Sequence, residues 1–328
     1  MPTRRVQLLF GTLTPILCSV VLVGCPGPDG PASSGSGSGG NESGNLEDGG
    51  TGIDPAASDE LLFQAGLALY QAGDPSGAEL EFLELGTTYP DSPRCDNALY
   101  LSGRSQYQLL RFQDCVDTMD QLRASFPETV FLAASYYFAA RSEFRLGNVA
   151  AAQPLFQLAV STNPQDTYAD NAAYYVGRCD FELDDFVAAE TALSTFETIY
   201  PRSSYVDNAL YYLGRTRFAA RNYAAAVNPL GRVIEMIDST YVDNALYFRG
   251  RSYEADGRAA LARADFERIL ADFGAGVYAD NALYHLVRIA VDGGDCVAAQ
   301  TLRATLTASF PQSSFLASAD DAIARGGC

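Results

Sequence analysis

A block reading Asp-Asn-Ala-Leu-Tyr, whole or degraded, begins at Asp96, Ala133, Asp170, Asp207, Asp243 and Asp280, with steps of 37, 37, 37, 36 and 37 residues. The same step carried back reaches Asp59, and carried forward it reaches Ala317. A fixed period of this length means one supersecondary unit in tandem, each copy burying its apolar face only against its neighbours. Within "DNALYYLGRTRFAARNYAAAVNPLGRVIEMI" the apolar positions fall at helical spacing, break at Arg221-Asn222 and resume. The break recurs at Gly73-Asp74, Gly147-Asn148, Asp184-Asp185, Gly257-Arg258 and Gly294-Asp295, each offering a C-cap glycine or a polar N-cap. Prolines 90, 127, 164, 201 and 311 then stop the second helix of a unit. The pattern predicts an all-α solenoid of helix–turn–helix units.

Two columns bear on how the helices meet. The eighth position of the first helix is Gly66, Gly103, Ala140, Gly177, Gly214 and Gly250. The twentieth position, on the second helix, is Ala78, Cys115, Ala152, Ala189, Ala226, Ala262 and Ala299. A mid-helix glycine costs about 0.5–1 kcal/mol relative to alanine, so its recurrence calls for a close neighbour. The expectation is that small faces small. Pro154 and Pro229 fall inside second helices, where local kinks are expected.

The chain opens on a different kind of segment. Arg4 and Arg5 precede the apolar run "VQLLFGTLTPILCSVVLV", which ends in Leu22-Val23-Gly24-Cys25. Residues 1–24 therefore read as an export signal, and its end resembles a bacterial lipobox in which Cys25 takes the lipid. Residues 25–58 are rich in Gly, Ser, Pro and acids, and read as a disordered tether from the lipidated cysteine. The predicted location is the periplasmic face of a bacterial outer membrane, since no aspartate follows Cys25 directly. All 22 cations are arginines against 40 acids, a net charge of −18 that repels nucleic acid.

Leu213-Gly214, Tyr223, Ala226, Leu230 and Val233, with Pro201 closing the previous unit, resemble the tetratricopeptide repeat (TPR) pattern. Phe186, Ala189, Leu193 and Phe196 repeat it one unit earlier. The resemblance covers residues 59–316 as seven repeats in a right-handed superhelix, with a capping helix at 317–328. Arg249 departs from it at a usually apolar seventh position, and Val287 stands in the glycine column. The phrase "YP-x-S-x-Y-x-DNALYYLGR" is similar to two groups of exported TPR proteins, the outer-membrane BAM lipoprotein and the Tol–Pal coordinator. In a TPR stack, Cys296 and Cys328 lie at one edge, which admits a bridge between them or two free or intermolecular thiols. Cys115 and Cys179 read as small core residues.

One stripe of the first helix carries the candidate site. Its second position includes Asn171, Asn208 and Asn244, and its fifth includes Tyr174, Tyr211 and Tyr247. The ninth position is Arg104, Arg141, Arg178, Arg215, Arg251 and Arg288. The resemblance implies that this stripe lines the concave groove. Asn can fix a ligand backbone, Tyr offers rigid contact area and Arg pairs with carboxylates. A framework ladder, with Arg paired to neighbouring acids and Tyr packed between repeats, is the other reading of the same residues.

Catalysis has little to work with here. The sole histidine, His285, reads as a packed or surface residue, and no phosphate loop, metal spacing or cofactor motif stands out. The expectation is a non-enzymatic, membrane-tethered scaffold that docks envelope proteins in its groove and needs no cofactor. A pilotin-type lipoprotein serving a secretin or motility machine, or a purely structural spacer, would share these features.

Overall fold

A computed structural model describes residues 55–328; the predicted leader, Cys25 and most of the tether lie outside the described residues. The described chain holds 15 α-helices and no strand. Seven helix pairs follow one another: α1 (Pro55–Gln71) with α2 (Pro75–Thr88), α3 (Cys95–Gln108) with α4 (Phe112–Ser125), and α5 (Leu132–Leu146) with α6 (Val149–Thr162). Then come α7 (Ala169–Glu182) with α8 (Phe186–Ile199), α9 (Val206–Ala219) with α10 (Tyr223–Glu235), α11 (Val242–Ala255) with α12 (Ala259–Asp272), and α13 (Ala279–Asp292) with α14 (Cys296–Ser309). The last helix, α15 (Leu316–Arg325), stands alone. Helix α1 begins inside the stretch assigned above to the tether, because Pro55 is preorganised for a first helical position and alanines follow it. Both Pro154 and Pro229 sit within helices that run on unbroken through them.

Every turn within a pair is built the same way. Its pivot is Gly73, Leu110, Gly147, Asp184, Arg221, Gly257 or Gly294, and all seven have positive φ. The next amide then bonds back across the helix end, as Asn148 N does to Glu143 O and Arg111 N to Gln106 O. A left-handed conformation costs an L-residue roughly 1–2 kcal/mol. Leu110, at φ 61°, has a largely exposed side chain and little packing to lose. Leu110→Gly is therefore expected to stabilise the protein by about 0.5–1 kcal/mol, the relief being partly offset by glycine's unfolded-state entropy. A rise in the urea midpoint checks this; an unchanged or lower midpoint refutes it. Asp74, Asp185 and Asp295 cap the following helix through side-chain bonds to Gly77, Ala188 and Ala298.

The small columns do not simply face each other. A Cβ added to Gly66, Gly103, Gly177, Gly214 or Gly250 would meet Phe82, Met119, Leu193, Leu230 or Phe266 at 2.4–2.9 Å. The space that glycine leaves on the first helix is filled by a large side chain of the second. The alanine column, fully buried, is a separate contact. Sequence spacing shows that both columns are small but not which side chain enters which hole.

Neighbouring units are joined at their loops by a repeated clasp. The first residue of the block accepts a hydroxyl from the next inter-unit loop: Ser92 to Asp59, Thr129 to Asp96, Ser239 to Asp207 and Ser313 to Asp280. The clasp is absent at the other three junctions: Ala133 replaces the aspartate opposite Asp166, Gly276 opposite Asp243 has no hydroxyl, and Ser203 does not bond Asp170. Successive first helices also touch, as α3–α5, α7–α9, α9–α11 and α13–α15. Closer packing on that side places the first helices on the inside of the curve, the concave face. The core runs continuously through the units, with a small separate cluster of Leu283, Val287, Leu306 and Ala319 under α15. Cys296 and Cys328 form a disulfide that holds the chain end to the last turn, and Cys115 and Cys179 are buried free thiols. No described helix is long and apolar enough to cross a membrane.

Candidate functional site

The concave stripe separates into parts with different surroundings. Tyr100, Tyr137, Tyr174, Tyr211 and Tyr247 are all buried. Each lies against the aromatic residue that precedes the next first helix: Tyr100 on Phe131, Tyr137 on Tyr168, Tyr174 on Tyr205, Tyr211 on Tyr241 and Tyr247 on Tyr278, at 4.4–5.1 Å between centroids. Tyr284 repeats the arrangement on Phe315. Burial pushes the Tyr137 hydroxyl up to about 12, and the Tyr174 and Tyr211 hydroxyls also rise above the ordinary phenol value. These rings stay neutral and serve as packing between units rather than as an open contact surface.

The asparagines are engaged as well. Asn171 donates to the Tyr137 hydroxyl and Asn208 to that of Tyr241, while Asn244 Oδ1 accepts from Tyr211 and Tyr278. The backbone N–H groups of Asn97 and Asn281 donate to the side-chain carboxylate of the preceding aspartate. The expected Asn–Tyr surface is thus a framework that fixes one unit against the next.

The arginines are placed differently. Arg104 lies over Tyr70, Tyr100 and Phe138, Arg141 over Tyr107, Tyr137 and Tyr175, and Arg178 over Phe144, Tyr175 and Tyr212. Arg215 lies over Phe181, Tyr211, Tyr212 and Phe248, and Arg251 over Phe218 and Tyr247. The cages of Arg104, Arg141, Arg178 and Arg215 take rings from their own unit and both neighbours, and that of Arg251 from its own unit and the one before, held by the ring quadrupoles. The Nε atoms of Arg104, Arg141, Arg178 and Arg215 are buried under those rings with no hydrogen-bond acceptor.

Acidic partners are concentrated elsewhere. Arg94 pairs with Glu60, Arg111 with Glu79, Arg217 with Glu190, Arg232 with Glu197, Arg249 with Asp265 and Arg303 with Asp320. Along the inner row only two contacts to acids occur, a 3.8 Å approach of Arg178 to Glu182 and a 3.4 Å approach of Arg288 to Glu254. The row therefore keeps most of its charge unneutralised in a chain of strongly acidic composition. The pairing of these arginines with neighbouring acids, expected in the framework reading, is largely absent.

Glu254 marks the end of the aromatic column that runs from Tyr70 through Tyr107, Phe144, Phe181 and Phe218. Its carboxylate lies 2.7 Å from His285 Nδ1 and 3.4 Å from Arg288. Burial raises the Glu254 pKa, but the His285 hydrogen bond and the charges of His285, Arg288 and Arg251 outweigh it, leaving it lowered. His285 is buried and stacked on Phe266 at 4.9 Å. No group of three His, Cys, Asp or Glu residues among those described is placed to hold a metal ion. Beyond Arg288 an open hollow of about 460 Å³ is lined by Tyr284, Arg288, Val291, Asp292, Ala322, Arg325 and Gly326. Arg325 occupies the ninth position of the incomplete eighth unit, a member of the row that the capping helix hid from the repeat count.

Residues 97–129, one helix pair and its loops, match the family described as Tetratricopeptide repeat. A TPR repeat-containing protein from Cytophaga hutchinsonii superposes over 79% of this chain and 98% of its own, with a TM-score of 0.63 and 16% identity. The fold is a tetratricopeptide-repeat solenoid. A TPR protein from Parabacteroides merdae matches over 81% of this chain and 98% of its own, at a TM-score of 0.53 and 16% identity. PilW, titled a type IV pilus biogenesis factor, covers 69% of this chain and 98% of its own, at a TM-score of 0.53 and 16% identity. No curated protein matches the chain by sequence.

Proposed function

We propose that this TPR solenoid is a scaffold held at the periplasmic face of a bacterial outer membrane through a lipid on Cys25, docking segments of envelope proteins along its concave row. The observation that carries the reading is the inner row itself: arginines repeated on successive first helices, caged by rings and mostly without acids. A charge that only stabilised the stack would be neutralised within it, as Arg249 and Arg303 are. The signal-like leader and the lipobox motif support the anchor, and the Gly/Ser-rich stretch that follows would let the solenoid stand away from the bilayer. A pilotin-type role ranks second. The fold shared with PilW is compatible with it, but likeness at this identity does not choose a partner.

In-cell crosslinking of the tagged full-length protein, followed by mass spectrometry, tests the proposal. The expected catch is a set of outer-membrane or envelope assembly components that disappears on Arg178→Glu with Arg215→Glu. Capture unchanged by that charge reversal would sink the concave-row reading. Capture of lipoprotein-processing factors alone would leave a structural spacer.

A further inference from the structure

Six joints link the seven units, and three kinds of tie cross them. The loop clasp is the first, made by Ser92 with Asp59, Thr129 with Asp96 and Ser239 with Asp207. The second is a ring pair between the twelfth position of one first helix and the sixth position of the next. Tyr107 meets Phe138, Phe144 meets Tyr175, Phe181 meets Tyr212 and Phe218 meets Phe248 in this way, at 5.2–5.8 Å. The third is a side-chain bridge from a second helix to the following first helix: Gln106 donates to Glu79, Gln153 to Asp180 and Arg217 to Glu190. Each of the first five joints has two of the three ties, whereas the sixth, between α12 and α13, has none among the described residues. Gly276 stands there where the clasp needs a hydroxyl, Ala290 where the bridge needs a polar group, and Glu254 and His285 where the rings belong.

The packing at this joint is correspondingly slight. Helices α11 and α13 approach less closely than α7 and α9 or α9 and α11 do. The contact of α12 with α13 is the smallest that any second helix of the first six units makes with the next first helix. Tyr278 still stacks on Tyr247 at 4.4 Å and donates to Asn244, while Leu286 and Ile289 sit in the common core. Apolar packing is non-directional and tolerates sliding, whereas ring contacts and hydrogen bonds fix an orientation. The directional contact in place of the ring pair is polar, Glu254 with His285 at 2.7 Å and with Arg288 at 3.4 Å. Beyond the joint the chain is tied closely to itself. The Cys296–Cys328 disulfide, both bonds from Arg303 to Asp320 and the bond from Gln300 to the Cys328 carbonyl hold α15 and the chain end to α14. Ser313 clasps Asp280, and Leu283, Val287, Leu306 and Ala319 form a cluster of their own under the cap.

We infer that α13, α14 and α15 form a lobe that rocks as one body about the α12–α13 joint, with Tyr278 as its pivot and the Glu254–His285–Arg288 contact as its latch. A body tied firmly within itself and loosely to its neighbour is the arrangement of a hinge, whose movement is taken up by a few residues at the ends of elements. The lobe carries Arg288 and Arg325, so its position decides whether the inner row continues past Arg251 or breaks there. The movement needs no docked partner and is measurable in the protein alone.

Spin-label distances test the lobe in the full-length protein in detergent micelles with the disulfide intact. Labels at Ala219→Cys with Asp292→Cys span the fifth and sixth joints, and labels at Glu182→Cys with Ala255→Cys span the fourth and fifth. All four sites are exposed and share the thirteenth position of their helices, while Cys95, Cys115 and Cys179 are buried and label slowly. The distance distribution across the sixth joint is expected to be at least about twice as wide as the control. Glu254→Phe with His285→Tyr copies Phe144 and Tyr175, and Tyr175 already packs on Phe156 as His285 packs on Phe266. That variant should narrow the distribution to the control width. Glu254→Gln, which removes the charge at nearly constant shape, should widen it further, and it decides the matter if the ring variant does not fold. Equal widths in the parent protein, or a width that neither variant changes, would overturn the lobe. Hydrogen exchange separates hinging from fraying: the amides of α13 are expected to stay as protected as those of α9. Protection lost progressively from α15 inward through α13 would mean that the last unit melts, and the hinge would be wrong.

Discussion

Tyr174→Ala will lower the unfolding free energy by about 3–5 kcal/mol, whereas Tyr174→Phe will leave it unchanged or slightly raised. The tyrosine is 1% exposed and belongs to the largest fully buried side chains. Its ring meets Tyr205 at 5.1 Å, Tyr175 at 5.0 Å and Tyr212 at 5.9 Å, so truncation opens a hole where two units join. Its hydroxyl is buried without a hydrogen-bond partner, and deleting that oxygen removes a desolvation cost instead of a bond. In a linear array this damage is local: the interface between α7 and α9 weakens, and the two halves of the solenoid lose part of their coupling. Urea unfolding followed by circular dichroism should show a lower midpoint and a broadened or split transition for alanine only. If phenylalanine costs as much as alanine, the hydroxyl has a role that the packing does not reveal. If neither costs more than about 1 kcal/mol, the stacked tyrosines are not what joins the units.

That contrast shows why the candidate site was only half legible in the sequence. A repeat announces its period because every copy solves the same packing problem, so the helix pairs and the Arg–Tyr–Asn stripe stand out without any structure. The same property hides roles, since a packing residue recurs as faithfully as a binding one. Tyr174 and Arg178 recur equally, yet one lies under the next unit's ring and the other keeps a charge at the groove. Only the direction of each side chain across the helix contact separates them, and spacing along one chain does not encode it. The same limit explains the glycine column, whose partners are Phe82, Met119 and Leu230 rather than alanine. It also explains Leu110, a left-handed turn residue with no glycine to signal it. Arg325 was missed for a different reason: its unit lacks a second helix, so the repeat count stopped before it.

Arg249 is the residue that most clearly breaks the repeat, and it gives the second large prediction. Its column in the other units is Ala65, Ser102, Ala139, Val176, Leu213 and Leu286, and the facing column holds Glu81, Thr118, Leu155, Ala192, Pro229 and Leu302, so only the sixth unit has a charge at both positions. In the sixth unit both positions change together. Arg249 Nε and Nη2 donate to the two carboxylate oxygens of Asp265 at 2.9 and 2.6 Å, with Asp265 only 5% exposed. The charge that looked misplaced in the sequence is half of a bidentate pair between α11 and α12. Breaking such a pair strands the other charge, so Arg249→Leu or Asp265→Leu alone should cost about 3–5 kcal/mol. Changing both to leucine recreates the apolar contact of Leu286 with Leu302, and such replacements are often neutral or stabilising by about 1–4 kcal/mol. The double variant is therefore expected to equal or exceed the parent in urea unfolding, with a coupling energy of several kcal/mol in the cycle. Additive single costs, leaving the double variant least stable of all, would mean that Arg249 acts through other contacts, its position over Tyr253 among them. Recovery in the double variant would show that the solenoid holds this pair in place of an apolar contact without depending on it for stability. The inner-row arginines differ on this point, because they have rings around them and, for the most part, no acid to lose.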